Sequence, residues 1–242
     1  MALSLFRTGS AESVTEVTVP LSYSNAKVSR GLRVGYVASF DQTLARSLAA
    51  LGVDAKELRV EDIEKSDLGL FDTIIIDIRG YEAHPELIAA NQRLLDYTDK
   101  GGTLIAFYHK TNEWNPDPAK SRPQLAPYPI ILGNERVTDE NSHMSFIQRE
   151  SPLLNSPNEI THADFDGWVQ ERGLYYPKQW DERYGKPLAT NDPGEPLLTG
   201  GLLSARYGRG HYIYTSMVWY RQLRAGVPGA YRMFANMISF GH

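Results

Sequence analysis

Residues 71–78 read Phe-Asp-Thr-Ile-Ile-Ile-Asp-Ile, and this run decides the fold class. Its three consecutive isoleucines place β-branched side chains on both faces of an extended chain. Strands that are apolar on both faces are typical of parallel sheets that helices cover on either side. The run therefore predicts an interior strand of an α/β domain.

Further β-α units flank this strand. Upstream, the apolar run 34–38 is followed by a predicted cap at Asp41 and by leucines at helical spacing, which end at Gly52. Downstream, Pro85 is predicted to start a helix that precedes the strand 103–108. Such repeats predict a doubly wound, mostly parallel sheet with helices on both faces.

The remaining chain divides into a cap and a closing hairpin. Residues 110–200 are rich in Pro, Asn, Asp and aromatic side chains, so they are predicted to form a long irregular cap over one end of the sheet. The sheet is predicted to resume at 202–207 and 211–216, with Gly208-Arg209-Gly210 as the hairpin turn, before a final helix.

The N-terminal residues form a separate unit in this interpretation. Residues 13–23 alternate apolar and polar side chains up to Pro20, which is typical of a half-buried edge strand. We therefore expect residues 1–30 to be a β extension or the end of an upstream module. The main domain is then 31–242, and the chain is interpreted as a fragment of a longer protein.

Composition excludes several classes of function. Of the 242 residues 42% are hydrophobic and the net charge is -4, so no broad positive field is available for nucleic acid. No apolar run approaches the ~20 residues of a membrane span, and the first residues have too short an apolar stretch for a signal peptide. Cysteine is absent, which excludes disulfides and thiol chemistry but leaves the compartment open among cytoplasmic, periplasmic and secreted.

The most distinctive part of the sequence lies near its C-terminus. It comprises Gly-Arg-Gly-His-Tyr-Ile-Tyr-Thr-Ser at 208–216, Arg-Gln-Leu at 221–223 and Gly-Val-Pro-Gly-Ala-Tyr-Arg at 226–232. With these segments, residues 33–241 resemble the class I glutamine amidotransferase-like domain at the C-terminal end of some large bacterial PIG-L/LmbE-type deacetylase proteins, which implies a flavodoxin-like fold. ThuA-like domains are more distantly similar.

The chain departs from the catalytic pattern of that family. The resemblance implies a cysteine nucleophile on the turn after a central strand and a histidine base in a late segment. The corresponding turn, residues 108–112, reads Tyr-His-Lys-Thr-Asn, and the late segment 217–222 contains no histidine. We therefore expect no glutaminase activity.

Other motifs have simpler explanations. Ala-His-Pro-Glu at 83–86 resembles both an amidotransferase segment and a deacetylase metal motif, but proline beside an acid is ordinary helix-start chemistry. No Gly-x-Ser-x-Gly nucleophile turn occurs, and no Gly-x-Gly-x-x-Gly turn follows the first strand. No dinucleotide or other cofactor is predicted.

A metal site has little support in the sequence. His109 and Glu113 are four residues apart and would share a helix face, but a metal would need a third ligand. Asp77, His143 and His162 are conceivable, although they show no recognisable spacing. We favour a hydrogen-bonded histidine at a strand end and predict no metal.

Aromatic and polar side chains are expected to gather beyond the carboxyl ends of the strands, where ligands of open α/β sheets bind. Aromatic faces with nearby carboxylates and amides suit the binding of sugar rings. The simpler alternative is that these aromatic side chains only pack the cap against the sheet. Trp180, Tyr175 and Tyr176 could help Trp168 to roof the cleft. The candidate cleft comprises Asp77, Arg79, Tyr81, Tyr108, His109, Asn112, Glu113, Trp114, Trp168, Trp219, Tyr220 and Arg221.

The leading hypothesis is a catalytically inactive amidotransferase-like domain that serves a larger deacetylase-type protein as a carbohydrate-associated binding or interaction module. The alternative is a hydrolase of unrelated mechanism, with His109 and Glu113 as acid or base and with Arg79 or Arg221 holding an anionic group. A third possibility is an assembly role through a sheet edge or an aromatic patch. The oligomeric state stays open.

Overall fold

The computed structural model describes the backbone of residues 3–4 and 16–17 and all of residues 23–242. The strands are β1 Leu3–Ser4, β2 Glu16–Val17, β3 Arg33–Val37, β4 Asp54–Glu57, β5 Thr73–Ile76, β6 Thr103–Ala106, β7 Ile130–Leu132, β8 Arg136–Val137, β9 Ser145–Phe146, β10 Gly173–Leu174, β11 Pro177–Trp180, β12 Leu188–Ala189, β13 Leu202–Tyr207 and β14 Gly210–Thr215. The α-helices are α1 Thr43–Ala50, α2 Val60–Lys65, α3 Gly80–Ala83, α4 Leu87–Asp99, α5 Thr111–Trp114, α6 Pro152–Asn155, α7 Trp219–Arg224 and α8 Pro228–Ile238.

Six strands form the central sheet, in the order β13-β14-β6-β5-β3-β4. Every neighbouring pair is parallel except β13 and β14, which form an antiparallel hairpin at one edge. If the five parallel strands are numbered along the chain, their order is 2-1-3-4-5, the flavodoxin-like order. The predicted fold class is confirmed.

The interior strand β5 separates two hydrophobic layers. Ile75 faces α1, α7 and α8, whereas Ile74 and Ile76 face α2 and α4, and all three side chains are fully buried. This alternation follows from the two-residue period of a strand. It explains why the run at 71–78 is apolar without interruption.

The cap consists of short elements rather than one long loop. Three two-stranded antiparallel sheets pair β7 with β11, β8 with β10 and β9 with β12. Apolar cap residues enter both layers, for example Trp168 in one and Leu132 in the other. The cap is therefore part of the core.

One helix begins later than predicted. α4 starts at Leu87 instead of Pro85, and the short helix α3 precedes it. His84 separates the two helices with φ -133° and ψ 78°, because a residue before proline is disfavoured in the helical region.

The N-terminal expectation is only partly within the described residues. Glu16–Val17 pairs in antiparallel fashion with Leu3–Ser4, whereas residues 13–15 and 18–22 of the predicted edge strand lie outside the described residues. Among the helices of the described residues, none has the length and apolarity needed to cross a membrane.

Candidate functional site

Four parallel strands of the central sheet deliver polar or aromatic residues to one edge. Ser39 follows β3, Asp77 follows β5, Tyr108 follows β6 and Ser216 follows β14. These strands run in the same direction, so their carboxyl ends meet at that edge, as the sequence analysis anticipated.

Asp77 lies at the topological switch point between β3 and β5. Its carboxylate accepts a hydrogen bond from Oγ of Ser39 at 2.8 Å, and its backbone N–H donates to the carbonyl of Val37. Burial raises the pKa of Asp77 to about 6, although the hydrogen bond from Ser39 acts in the opposite direction. Asp77 therefore links the ends of β3 and β5 through its hydrogen bonds, and its carboxyl group titrates near neutral pH.

Arg79 and Glu113 form an ion pair beside Asp77. Nε and Nη2 of Arg79 lie 2.7 and 2.6 Å from Oε1 of Glu113. The other oxygen of Glu113 accepts the backbone N–H of Lys110, which begins the short helix α5. Because the Glu113 side chain is only 1% exposed and both oxygens are engaged, it is held as a structural carboxylate.

His109 is completely buried, and both ring nitrogens have backbone partners. Nδ1 lies 2.8 Å from the carbonyl of Phe107, and Nε2 accepts the N–H of Tyr81 at 3.2 Å. These partners suit the neutral ring with its proton on Nδ1. Burial lowers the pKa of His109 to about 4, so this histidine is neutral at physiological pH and has no nitrogen left for a ligand.

The three tryptophans of the predicted cleft are core residues. Their indole N–H groups donate to protein oxygens: Trp114 to the carbonyl of Ile130, Trp168 to the carbonyl of Asp164, and Trp219 to Oγ1 of Thr215. All three rings are buried, and Trp168 meets Trp219 edge to face at 5.3 Å. Here the aromatics pack the cap against the sheet, as in the simpler alternative.

A second set of aromatic rings reaches the surface. Tyr108 is buried beneath two partly exposed rings, Tyr175 stacked at 6.3 Å and Tyr220 tilted at 5.9 Å. The guanidinium of Arg221 lies 4.9 Å from the Tyr220 ring centre, and its Nε donates to Glu171 at 2.9 Å. These rings extend from β6 across to the cap.

Phe40 continues this surface on the β3 side. Phe40 is 56% exposed, and the guanidinium of Arg79 lies 5.1 Å from its ring centre. The backbone N–H of Arg79 donates to the carbonyl of Tyr108, which links both halves. We call the set Phe40, Arg79, Tyr108, Tyr175, Tyr220 and Arg221 the strand-end surface.

Backbone strain concentrates at this surface. In the described residues, four residues other than glycine have positive φ: Arg79, Ser121, Gln170 and Tyr175. Arg79 and Tyr175 belong to the strand-end surface, and Gln170 accepts a hydrogen bond from Arg221. A positive φ is costly for such side chains and often marks a functional site.

The other residues that were predicted for the cleft do not line an open cleft. Tyr81 is buried and donates from its hydroxyl to Asn91, whereas Asn112 is exposed on α5. Tyr176 is also buried, and Trp180 packs with the opposite hydrophobic layer. The sequence analysis missed Phe40, although an aromatic residue shortly after a strand end was an available signal.

The residues that the sequence analysis weighed as metal ligands do not form a three-residue site. His84 of the Ala-His-Pro-Glu motif lies 2.9 Å from the carbonyl of Ala38 through Nε2, so it links α3 to the end of β3. In the part of the chain that the structure describes, no group of three or more His, Cys, Asp or Glu side chains is arranged to hold a metal ion.

Comparison with known proteins defines the fold but no family. No family model matches the sequence, and no curated protein matches it. Among solved structures, the cytoplasmic protein STM3548 of Salmonella typhimurium is 16% identical, with 86% of this chain and 97% of that chain covered and a TM-score of 0.52.

Two other solved structures carry names that describe their function or family. The exo-β-1,4-mannosidase Op5Man5 of an Opitutaceae bacterium is 13% identical, with 85% of this chain and 35% of that chain covered and a TM-score of 0.50. A ThuA-like protein of Bacteroides uniformis is 12% identical, with 90% and 93% covered and a TM-score of 0.48. At such low identity, the matches to STM3548 and Op5Man5 show a shared fold and nothing of activity.

Proposed function

We propose that the chain is a non-catalytic, amidotransferase-like recognition module that binds carbohydrate on its strand-end surface. One observation carries the proposal. Acid-base chemistry would need His109 and Glu113, but both side chains are engaged in hydrogen bonds within the protein. Tyr175 and Tyr220, in contrast, are partly exposed on the strand-end surface, where the backbone is strained. The same observation disfavours the hydrolase alternative, which needs free acid and base groups.

The chemistry of the surface suits a sugar ring. Tyr175 and Tyr220 present apolar faces against which C–H groups can stack, and their phenols can exchange hydrogen bonds with hydroxyls. Arg79 and Arg221 are each paired with a carboxylate, so they can donate to hydroxyl oxygens without a large net charge. This balance favours a neutral or weakly charged saccharide.

The module is proposed to serve a larger deacetylase-type protein of the PIG-L/LmbE kind. The C-terminal motifs at 208–216 and 226–232 support this context by their resemblance. A domain of this fold also makes up about a third of the mannosidase chain, so it occurs inside a longer carbohydrate-active enzyme.

A glycan array followed by calorimetry tests the binding. We expect the wild type to bind a subset of glycans and Tyr175→Ala to bind them about tenfold more weakly. Tyr207→Ala is the matched control, because Tyr207 is also partly buried beside another tyrosine but lies at the opposite end of the sheet. Failure of the wild type to bind any glycan would refute carbohydrate recognition, and equal binding by Tyr175→Ala would refute the strand-end surface as its site.

A glutaminase assay tests the non-catalytic part. We expect ammonia release from glutamine at the level of buffer alone, since cysteine is absent from the chain. Saturable release by the purified wild type would show instead that the domain is an active enzyme.

A further inference from the structure

Two exposed histidines from separate cap segments lie together. His143 is on the connection between β8 and β9, and His162 begins the 3₁₀ turn His162–Phe165. Their ring centres are 5.1 Å apart with an angle of 25° between the planes. The sequence separation of the two residues gave no indication of this pairing.

The ring separation is close to that of two imidazoles on one metal ion, although the observed rings are stacked rather than turned towards a common point. An imidazole nitrogen binds Zn²⁺ at about 2.0–2.1 Å, and the ring centre lies roughly 1 Å further out, so two imidazoles on one tetrahedral ion have centres about 5 Å apart. Both rings are exposed, so a rotation about the side-chain bonds that keeps this separation would turn one nitrogen of each ring towards a shared ion.

We propose that His143 and His162 form a two-histidine site for a late first-row divalent ion such as Zn²⁺ or Cu²⁺, with water at the remaining positions. Neutral imidazole is a preferred ligand of these ions, and Cu²⁺ binds most tightly in the general affinity order. The site differs from the strand-end surface in residues and in chemistry.

The neighbourhood both supports and limits the site. Phe146 meets His162 edge to face at 4.6 Å and so limits the rotation of this ring. The guanidinium of Arg149 lies 4.5 Å from the Phe146 ring centre and adds a positive charge nearby, which opposes cation binding. An ion would tie the connection before β9 to the 3₁₀ turn that packs on α8, and so would stabilise the cap.

Calorimetric titration with ZnCl₂ or CuCl₂ in a buffer free of chelators tests the site. We expect one ion per chain, with an affinity that falls on acidification because a protonated imidazole cannot be a ligand. His143→Ala and His162→Ala should each weaken binding by at least the 10- to 100-fold that the loss of an outer-shell partner typically causes.

Controls separate this site from other histidines and from misfolding. His84→Ala removes a histidine outside the cap and should bind like the wild type, and Arg149→Gln should bind at least as tightly. Electron paramagnetic resonance of the Cu²⁺ complex should show two nitrogen ligands in the wild type and one in each single variant of the pair. No binding by the wild type, or unchanged binding and nitrogen count in His143→Ala, would overturn the proposal.

Discussion

Arg79 and Glu113 connect two neighbouring strand ends through a partly buried ion pair. Nε and Nη2 of Arg79 both lie within 2.7 Å of the same Glu113 oxygen, and Arg79 holds this position with φ of 52°. Arg79 follows β5, and Glu113 is on α5, which follows β6. The pair therefore fixes the edge of the sheet that carries the strand-end surface.

Removal of the carboxylate should destabilise the protein. Glu113→Ala leaves the Arg79 guanidinium, 24% exposed, without its partner and the Lys110 N–H without its acceptor. We expect a loss of about 2–3 kcal/mol in the free energy of unfolding, which is less than for a fully buried pair because water reaches Arg79. Urea unfolding measures it, with the exposed Glu82→Ala as a control within about 0.5 kcal/mol. Equal stability of the two variants would show that the pair contributes nothing.

The sequence predicts the sheet much better than the site. Runs such as residues 71–78 carry their burial in their own residue types, so the mostly parallel sheet and the hairpin at Gly208-Arg209-Gly210 are correctly predicted. The Arg79–Glu113 pair spans 34 residues and has no local signal. The direction in which Trp168 points could not be predicted either, because the cap has no regular period from which to assign an inner face.

Deprotonation of Asp77 should make the folded protein less stable as the pH rises from about 4 to about 6. Its pKa is about 6 in the folded protein, above the ordinary value of about 3.9, so the folded state binds more protons between pH 4 and 6. The free energy of unfolding therefore falls with rising pH in this window, by about 2–3 kcal/mol from this group alone. Asp77→Asn still accepts from Ser39 and should be more stable than wild type at pH 7 but not at pH 4.

Urea unfolding at several pH values between 4 and 7 measures this difference. Asp96→Asn, which removes an exposed carboxylate on α4, is the matched control and should follow the wild-type profile. An Asp77→Asn profile that parallels the wild type throughout would mean that burial does not raise the carboxyl pKa.

His109 should have the opposite effect on acid stability. Its folded pKa of about 4 lies below the ordinary 6.5, so its stabilisation is complete above pH 6.5 and is lost as the pH falls towards 4. His109→Asn should be about 1–3 kcal/mol less stable at pH 7, because the Tyr81 N–H loses its acceptor. The same variant should lose about 3 kcal/mol less than wild type between pH 6.5 and 4. If acid sensitivity is unchanged in this variant, His109 is not the group responsible.

Two buried tyrosines should respond in opposite ways to loss of their hydroxyls. Within the described residues the Tyr212 hydroxyl has no hydrogen-bond partner, whereas the Tyr97 hydroxyl donates to the carbonyl of Asp72 at 2.9 Å. Tyr212→Phe should therefore be neutral or stabilising, and Tyr97→Phe should lose about 1 kcal/mol. Thermal unfolding of both variants measures the contrast. A loss in Tyr212→Phe as large as that in Tyr97→Phe would show that its hydroxyl is bonded in solution.

Gly229 allows α8 to approach the cap at backbone distance. A Cβ atom at this position would lie 2.0 Å from the carbonyl oxygen of Asp164, and backbone atoms cannot move aside as a flexible side chain can. Gly229→Ala should therefore lose about 2–3 kcal/mol in the free energy of unfolding, at the upper end of overpacking costs. Gly69→Ala is a suitable control, because Gly69 is exposed and its nearest neighbour is the side chain of Asp67.

The same contact should couple Gly229 to Arg232. Arg232 is one turn further along α8, and its Nε donates to the Asp164 carboxylate at 2.7 Å. A shift of α8 away from Asp164 in Gly229→Ala would already weaken this ion pair, so Arg232→Ala should cost less in that background than in the wild type. A double-mutant cycle by urea unfolding should give an interaction energy of at least about 0.5 kcal/mol. Strict additivity would mean that the helix does not move and that the strain of the added methyl group is absorbed locally.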